Sequence, residues 1–237
     1  MKLVIQDLKK EMRGSVVLDG ISMELSSGEI VGLEGVNGSG KTMLLRAIAG
    51  LIRPTSGFVS IDGKCLWKDI PFPQSVGVLI ENPAFLESRT GLANLMILGA
   101  MRRATRRATK RGGLDASSLR EAARESLRMV GLDPDDKRKY KKYSLGMKQR
   151  LGIAAATMGF PQLILLDEPT NALDVEGSEL ARRLILEAKG KGSLVVVASH
   201  DKDFLGGVAD EVHTLREGRI VSFAGAPISQ GGGFDEA

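Results

Sequence analysis

The sequence predicts an α/β protein: a mainly parallel sheet on a phosphate-binding core, with an antiparallel β portion and a helical insertion. Three observations carry this. GVNGSGKT, residues 35–42, matches the P-loop pattern G-x-x-x-x-G-K-[ST] between an apolar run, EIVGLEG, and a helix-patterned run, KTMLLRAIAG. Two more continuous apolar runs, LILLD at 163–167 and SLVVVAS at 193–199, read as strands buried on both faces. Between about residue 82 and residue 158 the apolar spacing is helical instead.

Taken in order, residues 2–8 (KLVIQDL) alternate and read as a strand. Residues 16–25 (VVLDGISMEL) read as one or two more, with Asp19-Gly20 as a candidate turn. The helix over 41–50 ends on Gly50, a C-cap signal. RPTSG, 53–57, is a turn cluster, and FVSIDG, 58–63, is a short strand closed by Asp62-Gly63. SVGVLI, 75–80, is an apolar strand leading to Glu81. Thr90 is placed to cap a helix through Ala93, Leu95 and Leu98. A second helix fits 117–130, with Leu119, Ala122, Ala123, Leu127 and Val130 on one side and Gly131 as its stop. Helix signals return over 178–189, and VHTLREGRIVSFAG, 212–225, reads as a hairpin about Glu217-Gly218. The expected organisation is one domain over 1–225, a helical subdomain inserted at about 82–158, and a mobile tail at 226–237.

Composition narrows the classes. At 237 residues with 43% hydrophobic and 26% charged, the chain suffices for one large domain with a full core. A net charge of +4 is too balanced to argue for nucleic-acid binding. Cys65 is the only cysteine, so no internal disulfide forms, which fits a reducing compartment. The start, MKLVIQDLKK, has no signal-peptide core, and no apolar run approaches the roughly 20 residues of a membrane span. A membrane role is therefore expected to come through a partner.

The motifs explain their own spelling. Triphosphate oxygens need converging backbone N–H donors, and only small residues let the main chain come that close. Asn37, Gly38, Ser39, Gly40, Lys41, Thr42 and Met43 form the candidate nucleotide-binding set. The helix beginning near Lys41 adds open N–H groups and a positive dipole end. The Lys41 ammonium suits the β/γ-phosphates and the Thr42 hydroxyl suits Mg²⁺. LILLDEPTNALD, 163–174, is an apolar strand ending in acids: Asp167 is placed to hold Mg²⁺ and Glu168 to polarise an attacking water. Alone, such a strand end is commonly just an acidic turn; beside a P-loop it gains weight. In YSLGMKQR, 143–150, Ser144 is a plausible N-cap that leaves helix donors open to an anion.

In this order, with ALD and His200 in ASHD following, the motifs resemble the ATP-binding subunits of ABC transporters over about residues 2–225. The resemblance implies the ABC ATPase fold, ATP with Mg²⁺, a second ATPase subunit that is identical or different, transmembrane permease subunits, and a place at the cytoplasmic face of the membrane. It implies that Ser144 and Gly146 hold the γ-phosphate of ATP bound to the other subunit, and that His200 contacts the γ-phosphate beside Glu168. Asn171–Asp174 resembles the loop that runs along the dimer interface. Leu145 and Met147 depart from the family's L-S-G-G-Q, and Leu145 is expected at negative φ. Glu81 stands where the family usually has Gln. It keeps a Mg²⁺-ligating oxygen and adds negative charge near the γ-phosphate. Glu81-Asn82-Pro83 and YSLGM resemble the subgroup of bacitracin-resistance and lantibiotic-immunity exporters.

No aromatic residue stands near 11–13, where the family stacks adenine. The loss implies ATP binding weaker by roughly 5- to 150-fold unless Met12 packs on the base. The basic run 102–111 reads first as a solvated surface, with anionic lipid headgroups as the alternative. The function expected is an exporter ATPase of antibiotic, peptide or lipid-like substrates. The rivals are a soluble ABC ATPase of translation or DNA repair, or an importer ATPase. No nucleic-acid partner is expected.

Overall fold

The computed structural model describes residues 1–81, 84–108 and 116–225, and only the backbone of residues 103–108 and 116. Asn82, Pro83, most of the basic run and the 226–237 tail lie outside the described residues or have undescribed side chains.

The chain opens with a long antiparallel hairpin of β1 (Lys2–Met12) and β2 (Ser15–Ser26). It turns at Arg13-Gly14, both with positive φ. The sequence placed a candidate turn at Asp19-Gly20, but β2 runs straight through it. Gly20 has φ 70 beside a register irregularity between the pairs Leu8–Ile21 and Lys10–Leu18. A bulge thus absorbs the left-handed residue without ending the pairing. After β3 (Ile30–Glu34) and α1 (Lys41–Ile48), β4 (Ser56–Ile61) and β5 (Lys64–Cys65) complete a four-stranded antiparallel sheet of order β2-β1-β4-β5.

The rest alternates. β6 (Val76–Leu79) is followed by α2 (Gly91–Ala108), α3 (Ala116–Met129), a short 3₁₀ turn at Tyr140–Lys142 and α4 (Leu145–Thr157). Then come β7 (Leu163–Asp167), α5 (Val175–Gly190), β8 (Leu194–Ser199), α6 (Lys202–Gly206) and the hairpin β9 (Glu211–Arg216) and β10 (Arg219–Gly225). The six-stranded sheet has order β10-β9-β3-β8-β7-β6 and is parallel except at the last hairpin. The Thr90 hydroxyl accepts from the Ala93 N–H at 3.2 Å, as its capping role requires. Helix α5 starts three residues before its helical pattern because Asp174 caps it, accepting from the Gly177 N–H at 2.8 Å.

Strand parity explains the core. In β3, β7 and β8, Ile30, Ile164, Leu166, Val195 and Val197 face a cluster completed by α3, α4 and α5. Val31, Leu33, Leu163, Leu165, Leu194 and Val196 face the other way, onto α1 and the antiparallel sheet. Both faces are covered, so these strands are continuous apolar runs. Helix α4 lies close on β6: a Cβ on Gly77 would stand 1.7 Å from the Ala156 carbonyl oxygen. Nearer its start, α4 meets the loop after β7 through Gln149, which donates to the Glu168 and Pro169 carbonyl oxygens.

Candidate functional site

Parallel strands end on the same side. The register pairs Glu34 with Ser199, and Asp167 with Ala198, so the loops after β3, β7 and β8 emerge together at one sheet edge. There they frame a cleft of about 450 Å³. Residues 36–43 form one wall. Glu81, Gln149, Asp167, Glu168 and Asn171 form much of the rest, and Val17 of β2 lines one side.

The P-loop wall is shaped for an anion. Gly35 has φ 155, and a Cβ there would lie 2.5 Å from both the Leu215 carbonyl oxygen and Ser39 Oγ. Helix α1 begins at Lys41 without a side-chain cap, so its first N–H groups stay open. Ser39 Oγ is buried and has no hydrogen-bond partner. Lys41 is 5% exposed; its Nζ donates to the Gly35 carbonyl oxygen at 2.5 Å. A triphosphate fits this cradle. It would satisfy the Ser39 hydroxyl and the helix N–H groups and give the ammonium an anionic partner in place of a carbonyl.

The opposite wall carries the acids. Thr42 Oγ1 donates to Asp167 Oδ2 at 2.7 Å. Burial pushes the Asp167 carboxyl above its ordinary value and the Glu168 charge adds to this, while the Thr42 hydrogen bond and the Lys41 charge act against it. A hydroxyl and a carboxylate side by side form a hard-oxygen pair of the kind that holds Mg²⁺ together with substrate phosphates. Glu168 has φ 47, an uncommon conformation for a side chain of its size, and its N–H is tied to the Ala198 carbonyl oxygen at 2.8 Å. Its Oε2 meets His200 Nδ1 at 2.8 Å. Its Oε1 is buried without a hydrogen bond and stands 3.8 Å from Lys41 Nζ. One carboxylate oxygen is thus held, and the other remains open to accept a proton donor.

The structure brings together residues 37–43, Glu81, Asp167 and Glu168 in the cleft, with His200 on the far side of Glu168. Ser144 and Gly146 do not line the cleft. Ser144 is exposed at the N-cap of α4, where its Oγ accepts from the Met147 N–H at 3.2 Å, so one of the donors expected to stay open is taken. Leu145 has no positive φ, as expected, and is 64% exposed. The Glu81 carboxylate sits on Arg46, Oε1 to the guanidinium at 2.6 Å, rather than on Thr42 or Asp167. Met12, at the end of β1, does not line the cleft, and the residue of the β1–β2 hairpin that does is Val17. Sequence reasoning missed Gln149. Its Nε2 donates to the Glu168 and Pro169 carbonyl oxygens at 3.0 and 3.1 Å. The available signal was a polar residue among the apolar, buried positions of α4, since a buried amide needs partners.

Comparison with known proteins agrees with this geometry. The family described as ABC transporter matches residues 18–171. The chain is 41% identical over 216 residues to the uncharacterized ABC transporter ATP-binding protein YybJ of Bacillus subtilis (strain 168), covering 91% of this chain and 93% of that one. It is 33% identical to the lantibiotic transport ATP-binding protein SrtF of Streptococcus pyogenes, covering 92% and 89%. It is 36% identical to the bacitracin transport ATP-binding protein BcrA of Enterococcus faecalis, covering 93% and 69%. Among solved structures, a dimeric post-hydrolysis state of the ATP-binding cassette MJ0796, bound to ADP and Pi, superposes with a TM-score of 0.83. It is 26% identical, covering 95% of this chain and 99% of that one. The chain belongs to the ABC transporter family, with the ABC ATPase fold, as an ATP-binding and ATP-hydrolysing transporter subunit.

Proposed function

We propose that this subunit powers an exporter of an antibiotic, peptide or lipid-like substrate by closing as a dimer on two Mg-ATP molecules. The names of the SrtF and BcrA relatives support the substrate class. Residues 37–43 grip the phosphates of one ATP. Ser144 and Gly146 of a second ATPase subunit cover the same γ-phosphate, which accounts for their position outside this chain's own cleft. Thr42 and Asp167, with Glu81 nearby, would hold Mg²⁺, which would supply positive charge to offset the negative charge of phosphoryl transfer. Glu168 Oε1 orients the attacking water, and His200 fixes the carboxylate through Oε2. The water oxygen bonds to the γ-phosphorus as the bond to the β–γ bridging oxygen breaks, leaving ADP and phosphate.

Among the described residues no helix is long and apolar enough to cross a membrane. Transmembrane permease subunits are therefore the proposed route to the cytoplasmic face of the membrane. They dock in the groove near Glu81 and the inserted helices of about 82–158, within one domain over 1–225. The observation that carries this reading is the Glu168 carboxylate, held at 2.8 Å by His200 beside the paired Thr42 and Asp167. The test is Glu168→Gln by gel filtration, with and without ATP. An ATP-dependent dimer is expected, with hydrolysis lowered about 10²–10⁴-fold. A monomer that still binds ATP would show that this chain does not complete its own site.

A further inference from the structure

Helix α1 carries Arg46 one turn beyond Thr42, and its guanidinium reaches out of the helix to Glu81. Glu81 lies just past the end of β6, on the cleft wall that faces the P-loop. Its backbone is left-handed, φ 58, a conformation that a non-glycine residue keeps only when its surroundings hold it. The pair is a contact of 2.6 Å between partly exposed groups, with side chains 30% and 60% exposed. Exposed pairs of this kind add little stability. Its interest is positional, because the carboxylate borders a site built for a triphosphate.

A free carboxylate there has two opposite effects. It repels a metal-free triphosphate, and it attracts a divalent cation held beside that triphosphate. Fixing the carboxylate on a guanidinium limits both. We infer that Arg46 is a positioning residue that holds Glu81 at the rim of the cleft and thereby sets how strongly ATP binding depends on the divalent cation. The inference rests on the nucleotide site proposed above and adds a residue that no motif in the chain marks.

The test measures equilibrium binding of a fluorescent ATP analogue with Mg²⁺ and with EDTA, and takes the ratio of the two affinities. Comparing the ratio across backgrounds cancels any direct pull of Arg46 on the phosphates. Arg46→Met removes the charge and keeps most of the stem. It should raise the ratio about fivefold or more, the size of one partly screened charge interaction. Arg46→Lys should restore most of the wild-type ratio. In a Glu81→Gln background, Arg46→Met should leave the ratio unchanged within about twofold. An equal change in both backgrounds would overturn the inference, because Arg46 would then act on the phosphates directly. No change in either would overturn it as well, reducing the pair to a surface ion pair. Wild-type protein that bound no ATP would instead sink the nucleotide site itself, so the two failures are distinguishable.

Discussion

The P-loop side and the α4 side of this molecule carry motifs of equal weight but are built in opposite ways. Asp167 closes a strand buried on both faces and Glu168 follows it, Lys41 and Thr42 open the helix after β3, and their side chains meet one another within the chain. Ser144 and Gly146 stand at the start of a helix whose first residues face outward, with Leu145 64% exposed. A site assembled from buried strands is fixed by packing before any ligand arrives. The difference teaches that the P-loop residues and the acids form one intramolecular cluster, while Ser144 and Gly146 stand apart from it, where the partner subunit proposed above would meet them.

Gln149 is where the two regions touch, and breaking it gives the largest effect expected outside the acids themselves. Gln149→Leu takes the side-chain donor from the Pro169 carbonyl oxygen and leaves the Glu168 carbonyl oxygen with the Asn171 N–H. A stability loss of about 1–3 kcal/mol in denaturant titration is expected, with hydrolysis reduced more than ATP binding. Unchanged hydrolysis would show that α4 and Glu168 are independent. Ser144→Ala comes next. It removes the cap on the Met147 N–H and should cost about 1 kcal/mol, a shift of roughly 2–4 °C in Tm. On the reading above it should also weaken the ATP-dependent dimer while leaving ATP binding by the monomer intact. Loss of monomer binding would move Ser144 to the intramolecular cluster.

The smallest effect is electrostatic. The Gly177 N–H and then the Arg150 guanidinium hold the Asp174 carboxyl below its ordinary value of 3.8. A lowered carboxylate pKa stabilises the fold at pH values above the unfolded one, and that contribution is lost as pH falls through the folded one. Asp174→Asn keeps a capping oxygen and removes the charge. Its Tm should lie slightly below that of the wild type at neutral pH, and the gap should close as the pH drops below 3.8. A gap that persisted in acid would assign the effect to packing instead.

Local rules were enough wherever a short stretch contains its own cause. The P-loop spacing, the acids closing LILLD, the Ser144 cap and the Asp62-Gly63 and Glu217-Gly218 turns are all legible in the chain, and the structure has each of those elements. Asp19-Gly20 misled because a positive φ serves a bulge as well as a turn, and only pairing with β1 decides which. Sheet order, the approach of α4 to β6 across Gly77, the reach of Gln149 to Glu168 and the pairing of Arg46 with Glu81 depend on segments distant in sequence. Periodicity says which face of a segment is buried, but not against what. The sequence therefore determined the chemistry available at the cleft. Tertiary packing alone decided which of those groups face each other, because the contacts that fix them join strands and helices that no local pattern relates.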